Sequence, residues 1–514
     1  MPKLDSLKPY VTYQEPFGPI DSTLIGPDYE ALRLLLLFER RSQAYKKRPS
    51  IIMGRRGAGK TSYLKSVYFQ DQYQYYVEIP TPKIVQYISE AIQNDGKKNF
   101  VEIVMELWEK TLLICVFVEI CKSDFPASKN LDIIIEYLKR IDIQRNASVH
   151  DILSRLDTMY RETIVHNPQN GISEIIKKFG SANFEGAKSA AIECLGAVKA
   201  KFVILMDSLE EFHVGDESTE HAIKGLLKLA GFMNAPKDVI DIRLCLTTEL
   251  KPIFFRISSN PNKDFAHMDQ LEWTLTDLIL IGAQRLMYFL KLHYQDLIIG
   301  ISPSEELNRA SAFALFRKVL PEKIINQNGY EEVAISYILR HMQLLPRHFI
   351  MLLNSIFRSA FARHEKDPFP VTGEDILSGV RQVEESIVQE IFTTFNVLHP
   401  DARELCKRCL PQLPKTFKLG DLHHVLNRHG KKHFPGGEFT DFYRMLVEIG
   451  VIGRVSYKSD LYITGKFQYM IGHELNLSYD DDLCVHPLFS GIYGRAGNED
   501  QRPVYPEGNN LDNN

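Results

Sequence analysis

Short apolar runs alternate with amphipathic stretches through the first half of the chain, and this alternation predicts a sheet flanked by helices. The apolar runs predict strands at residues 50–53, 74–79, 202–207, 241–248 and 270–275. A glycine-rich loop and the helical stretch KTSYLKSVYF separate the first two of these strands. A strand–loop–helix–strand order of this kind is typical of a parallel α/β sheet.

Helical periodicity dominates the regions around that sheet. Residues 101–200 have an almost wholly helical pattern, which predicts a helical insertion between the second and third strands. Several more helices are predicted over residues 303–363. Between residues 399 and 478, three helices precede the strands VIGRVSYK and LYITGKF. Three helices closed by a two-stranded hairpin is the order of a winged-helix domain.

Composition indicates the general class of protein and argues against several others. The chain has 514 residues, 44% of them hydrophobic and 25% charged, which is typical of a globular protein with two to four domains. A net charge of -4 argues against a wholesale nucleic-acid coat protein, although a local basic face is compatible with it. The sequence shows neither a signal peptide nor an apolar run of about 20 residues. With seven cysteines lacking disulfide spacing, we expect a protein of the cytoplasm.

The clearest chemical signal is GRRGAGKT at residues 54–61, which matches the pattern G-x-x-x-x-G-K-[ST]. Glycines in such a loop let backbone N–H groups face phosphate oxygens, and the following helix directs its positive end at the same anion. Lys60 is expected to reach the β- and γ-phosphates and Thr61 to bind Mg²⁺, so ATP and Mg²⁺ are the predicted cofactors. The predicted binding residues are Gly54, Arg55, Arg56, Gly57, Ala58, Gly59, Lys60, Thr61 and Ser62.

The stretch FVILMDSLEEF provides the carboxylate that such a site needs at the end of a buried strand. Asp207 ends the apolar run, at the sheet edge where open α/β sheets place ligands, and we expect it to hold Mg²⁺ through water. Glu210 or Glu211 could activate the attacking water, unless both belong to a solvated helix start. Thr247 and Thr248 end the next strand and could sense the γ-phosphate; ordinary capping of the strand end is the alternative.

Together, these motifs, the helical region and the winged helix resemble the AAA+/STAND branch of P-loop ATPases. The second motif resembles the STAND pattern better, because Ser208 stands where AAA+ proteins carry a catalytic glutamate. The stretch LLPRHFIMLLN looks like the start of the sensor 2 helix, in origin-recognition-type ATPases particularly. The resemblance implies that Arg347 contacts the γ-phosphate from a lid, although a surface arginine after a proline is the alternative.

The resemblance implies a fold class: an α/β P-loop NTPase core, a parallel sheet flanked by helices, with a helical insertion, an all-α lid and a C-terminal winged-helix domain. The expected boundaries are an N-terminal arm wrapping the first domain at 1–27, the NTPase domain at 28–300, the lid at 301–395, the winged helix at 396–478 and a partly disordered tail at 479–514.

The implied function is that of a slow ATPase acting as a molecular switch, in prokaryotic defence or signalling. Nucleotide state would set the orientation of lid and winged helix, and assembly as a homo-oligomer or with an effector protein. The alternative is an AAA+ loader or remodeller with its winged helix on duplex DNA. Basic residues support DNA contact, whereas the acidic third helix favours a winged helix that packs on the ATPase; the basic residues are Arg428, Lys431, Lys432, Arg454 and Lys458. A third interpretation is that the chain binds nucleotide only as a structural ligand.

Overall fold

The computed structural model of the protein falls into two compact units. The sheet unit spans Leu36–Leu271, and the C-terminal unit combines Met1–Leu35 with Glu272–Asn514. Within the described ranges, no helix combines the length and the apolar character needed to cross a membrane. The structure describes residues 4–25, 31, 34–35, 49–64, 73–93, 101–166, 171–207, 216–233, 239–258, 260–298, 307–364, 368–494 and 500–509.

The sheet unit is built on parallel strands, as the sequence predicts. In its described part they run in the order β2-β3-β4-β1-β5, and every neighbouring pair is parallel. β1, β3 and β4 are buried along their whole length. In β1 and β3 the buried residues are apolar, as a parallel sheet covered on both faces requires, whereas β4 also buries the ion pair between Arg243 and Asp241. The strands are β1 (Ile51–Gly54), β2 (Tyr75–Ile79), β3 (Phe202–Met206), β4 (Ile240–Thr247) and β5 (Met268–Leu271).

Helices fill the connections between these strands, and the predicted helical insertion between β2 and β3 is confirmed. It packs on the helix after β3: the Trp108 indole N–H donates to the Ala222 carbonyl at 2.9 Å. The helices are α1 (Lys60–Leu64), α2 (Thr81–Gln93), α3 (Val101–Lys122), α4 (Lys129–Arg140), α5 (Val149–His166), α6 (Gly171–Ser181), α7 (Phe184–Ala197), α8 (Glu217–Met233), α9 (Lys251–Ile257) and α10 (Pro261–Asp264).

After the N-terminal residues, the C-terminal unit continues with a helix that precedes the predicted lid and with the lid helices themselves. They are joined by a short antiparallel hairpin, β6 (Lys323–Ile325) and β7 (Glu331–Val333), so the lid is not purely helical. The hairpin escaped prediction because each strand has three residues and buries only its central one. The helices are α11 (Leu275–His293), α12 (Arg309–Arg317), α13 (Ala334–Arg340), α14 (Pro346–Arg363) and α15 (Gly373–Phe395).

The N-terminal arm, expected to wrap the first domain, packs on a helix of the predicted NTPase domain and on a helix of the lid. The backbone N–H of Phe17 donates to Asn354 Oδ1 at 2.8 Å, and Arg285 Nη1 donates to the Phe17 carbonyl at 2.7 Å. Since Asn354 lies on α14 and Arg285 on α11, polar side chains of these two helices satisfy the arm's backbone. Such long-range pairing leaves no periodic signal in the sequence.

The winged helix forms as predicted, and it is larger than predicted. Its sheet has the order β12-β10-β9-β11-β8 among the described residues, and it includes two strands from the tail, which we expected to be partly disordered. The tail's polar composition hid two short apolar runs whose residues are buried in this sheet. The elements are α16 (Ala402–Cys409), β8 (Thr416–Phe417), α17 (Leu419–Val425), α18 (Phe439–Ile449), β9 (Ile452–Lys458), β10 (Ile463–Lys466), β11 (Leu483–Val485), α19 (Pro487–Tyr493) and β12 (Val504–Pro506).

Candidate functional site

The loop between β1 and α1 needs its glycines for two physical reasons. Gly57 and Gly59 have φ angles of 83° and 89°, which place them in a backbone region that side chains strongly disfavour. At Gly54 the constraint is space: an added Cβ would lie 3.2 Å from Leu271 Cβ and 3.3 Å from Ala58 Cβ. The loop therefore turns tightly against the sheet edge and leads directly into α1.

Lys60 starts α1 and is folded back onto this loop. Its side chain is buried, and Nζ donates to the carbonyl of Gly54 at 3.1 Å and to that of Arg55 at 3.5 Å. Main-chain carbonyls thus hold the ammonium beside the loop, where neutral acceptors satisfy part of its hydrogen-bonding capacity. A phosphate oxygen would be a stronger, charge-assisted partner for the same group.

The two predicted magnesium ligands meet at the edge of the sheet. Thr61 Oγ1 donates a hydrogen bond to Asp207 Oδ2, although the residues are 146 positions apart in sequence. Asp207 directly follows β3. Because the strands are parallel, the carboxyl end of β3 lies at the same sheet edge as the loop that follows β1. A hydroxyl and a carboxylate oxygen are the hard donors that Mg²⁺ prefers, so this pair fits that ion.

Glu249 is a further component of the site, not predicted from the sequence. It is buried, and its Oε1 lies 3.3 Å from the Arg56 backbone N and 3.6 Å from Arg55 Nε. Thr247, at the end of β4, donates its hydroxyl to Oε2 of the same carboxylate. The contact arises because β4 pairs directly with β1, which aligns Thr247 with Gly54. A glutamate just after the strand-end threonines was the available signal.

The remaining predicted residues are placed in different ways. Thr248 is half-buried and begins the turn Thr248–Leu250, while Ser62 is half-buried on α1. Glu210 and Glu211 lie outside the described residues. Arg347, on α14 of the C-terminal unit, donates through Nη1 to Glu390 Oε1 at 2.7 Å. Its predicted role at the γ-phosphate stays a prediction.

Fold and motif together define a class of protein. A parallel sheet flanked by helices carries the GRRGAGKT loop after β1 and an aspartate after β3, and a lid and a winged helix follow. This is the fold of a P-loop NTPase core with a helical insertion, a lid and a C-terminal winged-helix domain.

Comparison with known proteins adds little to that class. No protein-family model matches the sequence, and no curated protein is significantly similar to it. One matching solved structure is that of the Aeropyrum pernix Orc1 protein in complex with DNA. The identity is 11%, the match covers 84% of this chain and 88% of that chain, and the TM-score is 0.32. At this level of likeness, the functional assignment depends on the residues of the site itself.

Proposed function

We propose that this chain is an ATP-binding switch that hydrolyses ATP slowly. The observation that carries the proposal is the hydrogen bond between Thr61 and Asp207 at the end of the glycine loop, beside a buried Lys60. Backbone N–H groups of residues 54–62 would surround the triphosphate, and Lys60 would exchange loop carbonyls for β- and γ-phosphate oxygens. Thr61 and Asp207 would hold Mg²⁺, which neutralises phosphate charge when bound.

The water-activating residue belongs to the same proposal. The sequence places Glu210 and Glu211 after Asp207, and either carboxylate could orient the attacking water. Ser208 stands where AAA+ proteins carry their catalytic glutamate, so we favour the STAND pattern over the AAA+ one. Nucleotide state would then control the lid and the winged helix, and through them assembly with a partner.

Sizing the purified chain by light scattering, with and without ATP and with and without duplex DNA, tests the switch. Assembly that needs ATP alone supports it, since a switch of this kind responds to nucleotide. Assembly that needs DNA favours the loader alternative. A size that ATP leaves unchanged would contradict the proposed control of assembly.

Glu249 provides a prediction about nucleotide affinity. Its carboxylate lies beside the loop that would bind a polyanion, so Glu249→Gln should tighten ATP binding about tenfold by removing a repulsive charge. Isothermal titration calorimetry measures the change. The matched control is Glu162→Gln, an exposed glutamate on α5, which should bind ATP like the wild type. Unchanged or weaker binding by Glu249→Gln would refute the repulsion.

Duplex DNA is a second candidate ligand, favoured by exposed groups of the winged helix. Arg428, Lys431 and Lys432 are exposed ahead of α18, and Lys458 is exposed on the wing with Tyr457, which is 54% accessible. These groups suit phosphate contacts without reading of sequence. Against this, α18 presents the exposed acidic residues Asp441 and Glu448, which a groove-reading helix would avoid.

If the winged helix binds duplex DNA, its affinity should depend on the salt concentration and on its basic residues. The triple variant Lys431→Gln, Lys432→Gln and Arg454→Gln should weaken duplex binding about tenfold or more and lower the salt slope by about 3. Fluorescence anisotropy over a salt series measures both. The control triple Arg140→Gln, Lys177→Gln and Lys178→Gln removes exposed charges from the helical insertion. If the two triples behave alike, the winged helix is not the DNA-binding surface.

A further inference from the structure

A cavity lies wholly within the C-terminal unit, among the lid, the winged helix and the tail. Its volume is about 440 Å³, within the range of sites that hold small organic molecules. The hairpin turn at 326–328, the end of α13 and the middle of α15 form its lid side. The segment before β8, the β11–α19 junction and the tail at 500–504 complete the wall.

Ionisable side chains are concentrated in this wall. The described ones are Arg340, His341, Arg381, Glu384, Lys415 and Asp500. Arg340 forms a bidentate ion pair with Glu332, in which Nε donates to Oε2 at 2.9 Å and Nη2 donates to Oε1 at 3.0 Å. Tyr505 also donates to Glu332 Oε2 at 2.6 Å, so the carboxylate that fixes Arg340 is itself fixed. Arg502 binds Asp500 at 2.7 Å.

His341 and Glu384 form the third pair, since His341 Nδ1 lies 2.5 Å from Glu384 Oε1. Burial lowers the pKa of His341, which favours the neutral imidazole as the donor to that carboxylate. A neutral imidazole leaves the Glu384 carboxylate its negative charge, so two cations, Arg381 and Lys415, and this one anion remain in the wall. Neither cation makes an ion pair within 4.0 Å with any carboxylate among the residues that the structure describes.

The two cations differ in their surroundings. Arg381 is exposed, and its Nε lies 2.8 Å from the side-chain amide of Gln327, oriented with its oxygen toward the guanidinium. Lys415 is half-buried, and burial, with the nearby charge of Arg340, lowers its pKa to about 8. The carboxylates of Asp500 and Glu332 attract this ammonium but do not offset the cost of its burial, and an incoming anion would offset more of that cost.

A purely structural role explains this cluster poorly. Buried ion pairs seldom stabilise a fold more than apolar side chains of similar volume. The hydrogen bonds around Glu332 instead fix the guanidinium of Arg340 in the wall of a cavity. Fixing side chains in advance in this way is typical of a preorganised binding site. We propose that this cavity binds a small phosphorylated molecule, whose phosphoryl group Arg381 and Lys415 contact. Two cations against the single carboxylate of Glu384 leave the wall positive, which favours an anionic group such as a phosphate ester.

Calorimetry on the full chain tests the proposal in a Lys60→Ala background, which removes the nucleotide loop as a competing phosphate site. Glycerol 3-phosphate and inorganic phosphate are the probes, and glycerol is the neutral analogue. We expect a Kd below about 1 mM for at least one probe and none for glycerol. Arg381→Gln or Lys415→Gln should weaken binding about tenfold or more, because each removes a charge-assisted contact.

Arg358→Gln, an exposed arginine on α14, is the matched control and should leave binding unchanged. Binding of both probes weaker than about 1 mM would overturn the proposal. Equal affinity for glycerol, or cavity variants that bind like Arg358→Gln, would do the same.

A second measurement needs no variant. An amine with a pKa of about 8 reacts readily with acetic anhydride, so Lys415 should be acetylated early at pH 8, as read by mass spectrometry. Glycerol 3-phosphate should slow that reaction at least about threefold while exposed Lys407 reacts as before. Acetylation of Lys415 at the same rate with and without the probe would overturn the proposal, whether or not the variants fold.

Discussion

Replacing Lys60 by alanine is expected to weaken ATP binding at least about 100-fold, because the β- and γ-phosphates lose their charged donor. In the structure, Nζ is held only 3.1 Å from the Gly54 carbonyl, so it is already at the loop where the triphosphate would lie. Calorimetric titration with ATP and Mg²⁺ measures the loss. Circular dichroism checks that the sheet is intact.

The matched control is Lys178→Ala, which removes an exposed lysine from α6. It should bind ATP as tightly as the wild type, since Lys178 is not part of the loop at residues 54–61. If Lys60→Ala and Lys178→Ala bind ATP equally well, the GRRGAGKT loop is not the nucleotide site.

The second large effect is expected from Asp207→Asn, which should lower the rate of ATP turnover. The amide keeps a hydrogen-bonding partner for Thr61 but loses the charge that holds Mg²⁺, so we expect ATP turnover to fall about 100-fold or more. ATP affinity without Mg²⁺ should not fall, because no phosphate contact is removed, and the loss of a negative charge beside the loop should tighten it. Phosphate release at a series of Mg²⁺ concentrations measures the first effect.

Asp132→Asn, at an exposed position on α4, is the control for that change and should leave turnover intact. Wild-type turnover by Asp207→Asn would exclude Asp207 as a magnesium ligand. A wild-type chain that binds ATP without turning it over would support the third interpretation, in which nucleotide is only a structural ligand.

Local signals made most of the candidate site predictable. Glycine spacing marked the loop, and continuous apolar runs marked β1 and β3 as buried strands. The meeting of Thr61 and Asp207 followed from one general rule, that parallel strands end at a common edge. That rule needs no knowledge of which strands are neighbours.

Features that depend on strand order or long-range packing were not predictable. Glu249 reaches the loop only because β4 lies directly beside β1, and the sequence does not specify that order. The arm at Phe17 depends on Asn354, 337 positions away. In the tail, apolar runs of three residues were too short to stand out among polar neighbours, although the winged-helix sheet buries them.

Equilibrium dialysis of the wild-type chain against labelled ATP, with and without Mg²⁺, tests the central claim most directly. The account predicts saturable binding of a single ATP per chain with a Kd below about 100 μM, tightened at least about tenfold by Mg²⁺. The tightening is expected because Thr61 and Asp207, which meet at the end of the loop, would together hold the metal. Binding that does not saturate, or that Mg²⁺ leaves unchanged, would contradict a magnesium-dependent ATP site at residues 54–62.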